Sequence, residues 1–383
     1  MTRIVIVGGG TGGTVLANRL ADKLAPEMKR GDVEVTLVND GPDQVYKPTF
    51  LYIPFGEATP EDARQPIVDL VDRTVDFRVD RVTAIDTDAK RLDLQRDGAL
   101  EYDYLVLATG ATLEPDEVPG LVEGGHHFYD AAGAERLRDA LAEFEAGHLV
   151  LSVIGVPHMC PAAPVEFVLM VDEWLRERGR REDVDITYTY PIQRIHGLAP
   201  VAEWAQPLFD ERGIEAETFF NPESVDPDER VIETMEGTEL DYDLLVAIPP
   251  HGGSPLVEDA GLGDGGWVAV DNRTLEAEHA EDVYAIGDAA DVPTSKAGSV
   301  AHYQAGAVAD RLASQVRGQV PTAEYDGKTM CFVESGTDEA AFLEFSYDRQ
   351  PEPRDPNQYV HWGKLAYNEA YWLTARGSCE VAP

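Results

Sequence analysis

The chain has 383 residues, an ordinary hydrophobic content, and 71 acidic against 31 basic residues, seven of the latter being lysine, for a formal net charge of -40. The acids are spread through segments such as EDARQPIVDLVDRTVDFRVDRV and EHAEDVY, which excludes an acidic disordered tail and argues against nucleic acid or an anionic membrane as partner. Three cysteines, no apolar run of about 18 residues, and a start (MTRIVIVGGG) that enters a strand at once predict a cytoplasmic protein with no disulfide framework and no transmembrane helix.

The length allows two domains with proper cores. The acidic surface suits a salt-rich, halophilic cytoplasm, where the Debye length falls to ~3 Å at 1 M. RIVIVG is an apolar strand feeding GGGTGG and then an amphipathic helix, TVLANRLADKL. Gly8-x-Gly10-x-x-Gly13 with Thr11 between strand and helix is the context in which this motif binds a pyrophosphate. The helix N-terminus then offers free N–H groups and a positive dipole end. EVTLVN follows and ends in Asn39 and Asp40, with Asn39 where an acid usually binds ribose.

EYDYLVLATGA is a buried strand ending in Thr109-Gly110. Further on, DVYAIGDAAD is a strand ending in Gly287-Asp288. Tyr102-Asp103-Tyr104-Leu105-Val106 recurs as Tyr242-Asp243-Leu244-Leu245-Val246, and Gly8 and Gly155 each close a strand at a similar separation. The echo predicts an α/β fold of two Rossmann-like dinucleotide-binding domains, the second inserted into the first. The expected division is 1–113 with 276–324, then 114–275, then a small C-terminal region, 325–383, of two strands and an aromatic helix.

The second turn, VIGVPHMCPAAPVEF, keeps one glycine of the expected three, and the next strand, DITYTY, ends in Tyr190 instead of an acid. A nicotinamide cofactor is therefore not expected there. Cys160 stands in its place, just before a helix beginning near Pro164, where a helix N-terminus would lower a thiol's pKa. A buried cysteine acting as a small hydrophobe is the plainer alternative.

Taken together, the three nucleotide-binding segments resemble the two-dinucleotide-domain flavoproteins of the disulfide-reductase type. With Cys160 and Cys331 (TMCFVES), TSKAGSVAHYQA and HWGKLAYNEAYW, the chain more specifically resembles sulfide:quinone oxidoreductases and the flavoprotein subunit of flavocytochrome c sulfide dehydrogenases. The resemblance implies FAD, held in part by Asp288, with Lys296 near the ring's pyrimidine end and Gly298 in the same stretch. It implies a redox pair of Cys160 and Cys331, with Cys331 as the thiolate facing the flavin. Sulfide or another small sulfur donor is the implied substrate and a quinone the implied acceptor.

Glu166 matches a family carboxylate that moves protons, although an acid in a first helical turn serves equally as a structural group. His196 matches a histidine near the sulfide site, titrating near neutrality, with a purely structural histidine as the alternative. His126 and His127 stand where many relatives have a third cysteine. Phe332, Tyr367, Tyr371 and Trp372 are candidates to line an acceptor pocket, and peripheral membrane contact through 359–373 is a further expectation. Cys379 is given no role, and no metal-ligand spacing occurs. Two other readings stay open, a type II NADH:quinone oxidoreductase and a persulfide-binding flavoprotein with a non-quinone acceptor.

Overall fold

The computed structural model describes residues 1–377; Cys379 lies outside the described residues. The elements that position the site are, in chain order, β1 (Thr2–Val7), α1 (Thr11–Lys23), β2 (Val33–Asn39), β3 (Asp76–Val79) and β4 (Tyr104–Leu107). Next come α2 (Ala131–Glu143), β5 (Gly147–Val153), α3 (Ala163–Glu177), β6 (Val184–Tyr190), α4 (Ala199–Arg212), β7 (Ile214–Thr218) and β8 (Leu244–Ile248). The chain closes with β9 (Val283–Ala285), α5 (Gly298–Val316), β10 (Thr329–Glu334), β11 (Ala340–Phe345) and α6 (Gln358–Ala375).

Two parallel sheets result. The first runs in the order β9–β4–β1–β2–β3, the second β7–β6–β5–β8. Both reverse direction beside their first strand, at β1/β4 and at β5/β8, and such a switch point opens a crevice at the carboxyl ends of the strands. The second sheet lies wholly between β4 and β9 of the first, so the second unit is inserted, as expected. Antiparallel three-stranded ribbons (Val82–Asp86, Arg91–Leu94, Gly98–Glu101 and Pro222–Asp226, Val231–Thr234, Glu239–Asp241) precede β4 and β8 respectively. They extend the internal repeat beyond its sequence echo.

The stretch predicted as one strand from Glu101 breaks at Asp103, whose carboxylate accepts the Arg3 backbone N–H at 2.7 Å. Glu101 therefore ends a ribbon strand and β4 starts anew at Tyr104.

Each sheet carries its own core. Ile4, Ile6, Leu16, Leu37 and Leu105 are fully buried in the first, and Leu149, Leu151, Val165, Phe167 and Ile248 in the second. Full burial of one such side chain stabilises by roughly 1.5–3 kcal/mol. In the second unit, Asp172 of α3 is completely buried and ion-paired to Arg176, Arg181 and Arg212, which ties α3 to the start of β6 and the end of α4. The C-terminal hairpin β10–β11 is antiparallel, with Cys331 opposite Leu343. It packs against α3 and α5, and α6 then crosses back to α1.

Candidate active site

At the β1/α1 turn, Gly13 is required by contact, since a Cβ there would lie 1.9 Å from the Gly8 carbonyl oxygen. Gly10, by contrast, faces open space. It caps α1 without a side-chain hydrogen bond, and the first turn holds no acid, so the helix presents its N–H groups outward. Asn39 holds the turn. Its Oδ1 accepts the Gly9 N–H at 2.7 Å and its Nδ2 donates to the Gly41 carbonyl at 2.8 Å, so it braces the turn.

One elongated cavity runs from this turn to the second domain. Gly10, Thr11, Gly110, Gly287, Asp288, Lys296 and Gly298 line it, and so do Cys160, Glu166 and Cys331. Gly8, Gly13, Asn39 and Thr109 frame the turn beneath without lining the cavity. Gly287 is positioned by its N–H to Gln304 Oε1 at 2.6 Å. The Lys296 ammonium donates to the Asp288 carbonyl at 2.7 Å and lies 3.8 Å over the Trp267 ring, and burial pushes its pKa down.

A dinucleotide cofactor fits this lining. The cradle has no room for side chains at Gly13, the helix terminus has no side-chain cap, and two buried polar atoms, Thr109 Oγ1 beside the cavity and His302 Nε2 of a cavity-lining residue, have no partner among the described residues.

The second turn was expected to place Cys160 at a helix N-terminus with a lowered pKa. The structure corrects this. Cys160 lies ahead of α3 in left-handed backbone (φ 46), a conformation costing roughly 1–2 kcal/mol for a residue with a Cβ. The turn is held by two backbone bonds, Cys160 N–H to the Lys296 carbonyl at 2.8 Å and Ala163 N–H to the Cys160 carbonyl at 2.9 Å. Burial, reinforced by the charge of Glu166, pushes the Cys160 thiol up to about 12. Cys331 is driven up by burial as well, with Cys160 next in effect, so the two thiols sense one another across the cavity. Lys364 pulls both back down.

Glu166 is buried on α3, and burial raises its pKa against the pull of Lys364. Its Oε1 accepts the Glu334 N–H at 2.9 Å and pairs with the Lys364 ammonium. His196 is a second correction. It does not line the cavity; its Nδ1 accepts the Leu198 N–H at 3.0 Å at the start of α4. Burial and neighbouring His158 push it down to about 4, so it does not titrate near neutrality.

Phe332, Tyr367 and Tyr371 line the cavity, whereas Trp372 packs outside it on Tyr46 and Tyr371. Tyr371 also hydrogen-bonds Thr11 Oγ1 at 2.7 Å, which closes α6 over the N-terminal turn. Tyr190 is buried against Tyr188 in the second sheet.

Sequence reasoning missed three residues around the Glu166–Lys364 pair. Tyr52 donates to Glu334 Oε1 at 2.8 Å, and His361 Nδ1 lies 3.0 Å from Glu334 Oε2. A signal for two of them was present. Glu334 shares a strand with Cys331, and His361 and Lys364 stand three apart on one helix face.

Two crevices at strand ends, a glycine turn at one and a cysteine at the other, define a two-domain flavoprotein oxidoreductase. The family model for pyridine nucleotide-disulphide oxidoreductases matches residues 2–307, and the chain belongs to that family. The cofactor of this fold is FAD.

Among named relatives, the chain is 25% identical over 360 residues to the mitochondrial sulfide:quinone oxidoreductase of Mus musculus, covering 91% of this chain and 79% of the relative. It is 26% identical over 409 residues to the sulfide-quinone reductase of Aquifex aeolicus (99% and 92% covered). The solved structure of the Aquifex aeolicus sulfide:quinone oxidoreductase superposes with a TM-score of 0.87 at 24% identity, covering 100% of this chain and 93% of that one.

Proposed function

We propose that the protein oxidises sulfide to sulfane sulfur or polysulfide through a Cys160–Cys331 redox pair and passes the electrons, by way of FAD, to a quinone. The observation that carries this reading is that two cysteines from distant segments line the same cavity as the FAD-type glycine turn. The sulfide-oxidising relatives that match nearly the whole chain support it.

In this mechanism HS⁻ attacks one sulfur of the disulfide formed when Cys160 and Cys331, free thiols in the structure, are oxidised. That S–S bond breaks, a new one forms to the incoming sulfur, and one cysteine is left as a persulfide, the other as a thiolate. Both thiols are raised by burial, so a thiolate there gains from a counter-charge, and Lys364 provides it to either one. Glu166, with its raised pKa and its place in the same cavity lining, is placed to exchange protons with the sulfur centre. FAD, when bound, would accept the two electrons given up when the thiolate and the persulfide, losing its proton, join in a sulfur bridge, and would pass them to the acceptor. Phe332, Tyr367 and Tyr371 offer an apolar wall to a planar quinone ring.

No helix among the described residues is long and apolar enough to cross a membrane. Tyr359, Trp362, Leu365 and Leu373 of α6 are exposed and suit interfacial contact through 359–373, on the cytoplasmic face in this reading.

Anaerobic titration with sulfide, and separately with NADH, while following the flavin's visible absorption tests the reading. Bleaching by sulfide, abolished in Cys160→Ser and in Cys331→Ser, is the expected result. Bleaching by NADH alone would overturn it in favour of an NADH:quinone oxidoreductase.

A further inference from the structure

Oxidation of HS⁻ to sulfane sulfur yields two electrons and one proton, whereas a quinone accepting two electrons takes up two protons. The balance HS⁻ + H⁺ + quinone → sulfane sulfur + quinol requires one proton from solvent per turnover. Cys160 and Cys331 are nevertheless only partly exposed and Glu166 is buried, all three lining one cavity.

A line of polar side chains joins them to the surface. Glu166 pairs with the Lys364 ammonium, whose Nζ is 3.5 Å from Glu334 Oε1. Glu334 Oε2 is 3.0 Å from His361 Nδ1. Side-chain exposure along this line is 4% at Glu166, 8% at Lys364, 1% at Glu334 and 11% at His361, so the imidazole is its most exposed group.

We propose that Glu334 and His361 form the outer half of a proton entry route that acts through Lys364 and Glu166; this rests on the sulfide–quinone reading above. Compensation alone does not account for the imidazole. Lys364 and the Tyr52 hydroxyl already serve Glu334, and a histidine adds a second nitrogen that exchanges protons on its far side. Glu334 from β10 contacts His361, Glu57 from the segment after β2 lies within reach of its charge, and Tyr52 and Lys364 meet it only through Glu334. Glu177 and Arg178 lie behind Glu57. The imidazole thus sits in a net negative surround that draws protons in.

The test is steady-state sulfide-to-quinone turnover against pH for the FAD-loaded parent, His361→Ala and Glu334→Gln, each with and without added imidazole. Anaerobic sulfide bleaching checks FAD load and sulfide reactivity. His361→Ala should lose activity most at alkaline pH, by about a hundredfold, and recover with imidazole. Glu334→Gln should lose comparably and not recover, because its gap lies inside the protein. If His361→Ala loses its FAD, His361→Gln takes its place and should show the same alkaline loss. A His361 variant whose pH profile superposes on that of a sulfide-active parent overturns the route alone. A parent that sulfide does not bleach overturns the functional reading, and the route with it.

Discussion

The Lys364 ammonium on α6 and the Glu166 carboxylate on α3 form a buried ion pair that joins the C-terminal helix to the second domain beside both cysteines. Removing one partner of such a pair leaves a charge that water cannot reach. Lys364→Met should therefore lower stability by about 3–5 kcal/mol, read as a shift in the urea midpoint at unchanged slope. The double variant Glu166→Gln/Lys364→Met should regain most of that loss, since neither charge is then stranded.

The same logic applies at Asp172, where Arg181 and Arg212 converge from outside α3. Asp172→Ala should cost about 3 kcal/mol and leave the cysteines' chemistry in place. Chemical denaturation together with sulfide bleaching checks both halves of this expectation.

Buried histidines set the acid limit of the fold. His158, His196 and His302 are each pushed down to about 4, and His251 to about 3, chiefly by burial. In the unfolded chain each binds a proton near 6.5, so below that pH the unfolded state takes up more protons. Their contribution is whole above pH 6.5 and is lost as pH falls towards 4. The urea midpoint should drop already between pH 6.5 and 5, before most carboxylates titrate. Replacing His196 by Asn should flatten that slope.

Gly13 admits no side chain against the Gly8 carbonyl. Gly13→Ala should shift α1 off the turn and give protein that purifies with little or no bound FAD. The ratio of visible to ultraviolet absorbance measures this directly.

The turn residues and strand patterns were legible because they are local. A strand, a glycine turn and a helix specify a pyrophosphate cradle wherever they occur in that order, and the loss of glycines after Gly155 marked the second turn as changed. The resemblance carried by Cys160 and Cys331 named the redox pair, yet their meeting in one cavity depends on β10 packing against α3 and α5.

Electrostatics lay beyond the sequence. Cys160 reads as a thiol activated by a helix end, but burial outweighs a terminus it does not occupy, and its pKa rises. His196 fails for the same reason, since desolvation overrides its ordinary titration. Glu334 and His361 acquire their partners only when hairpin, α3 and α6 converge. By itself the sequence determined the two nucleotide-binding folds, because those follow from local pattern, and through its family resemblance it nominated Cys160 and Cys331 as the redox candidates. Tertiary structure decided which charges share a dry interior, because desolvation and ion pairing depend on neighbours far away in the chain.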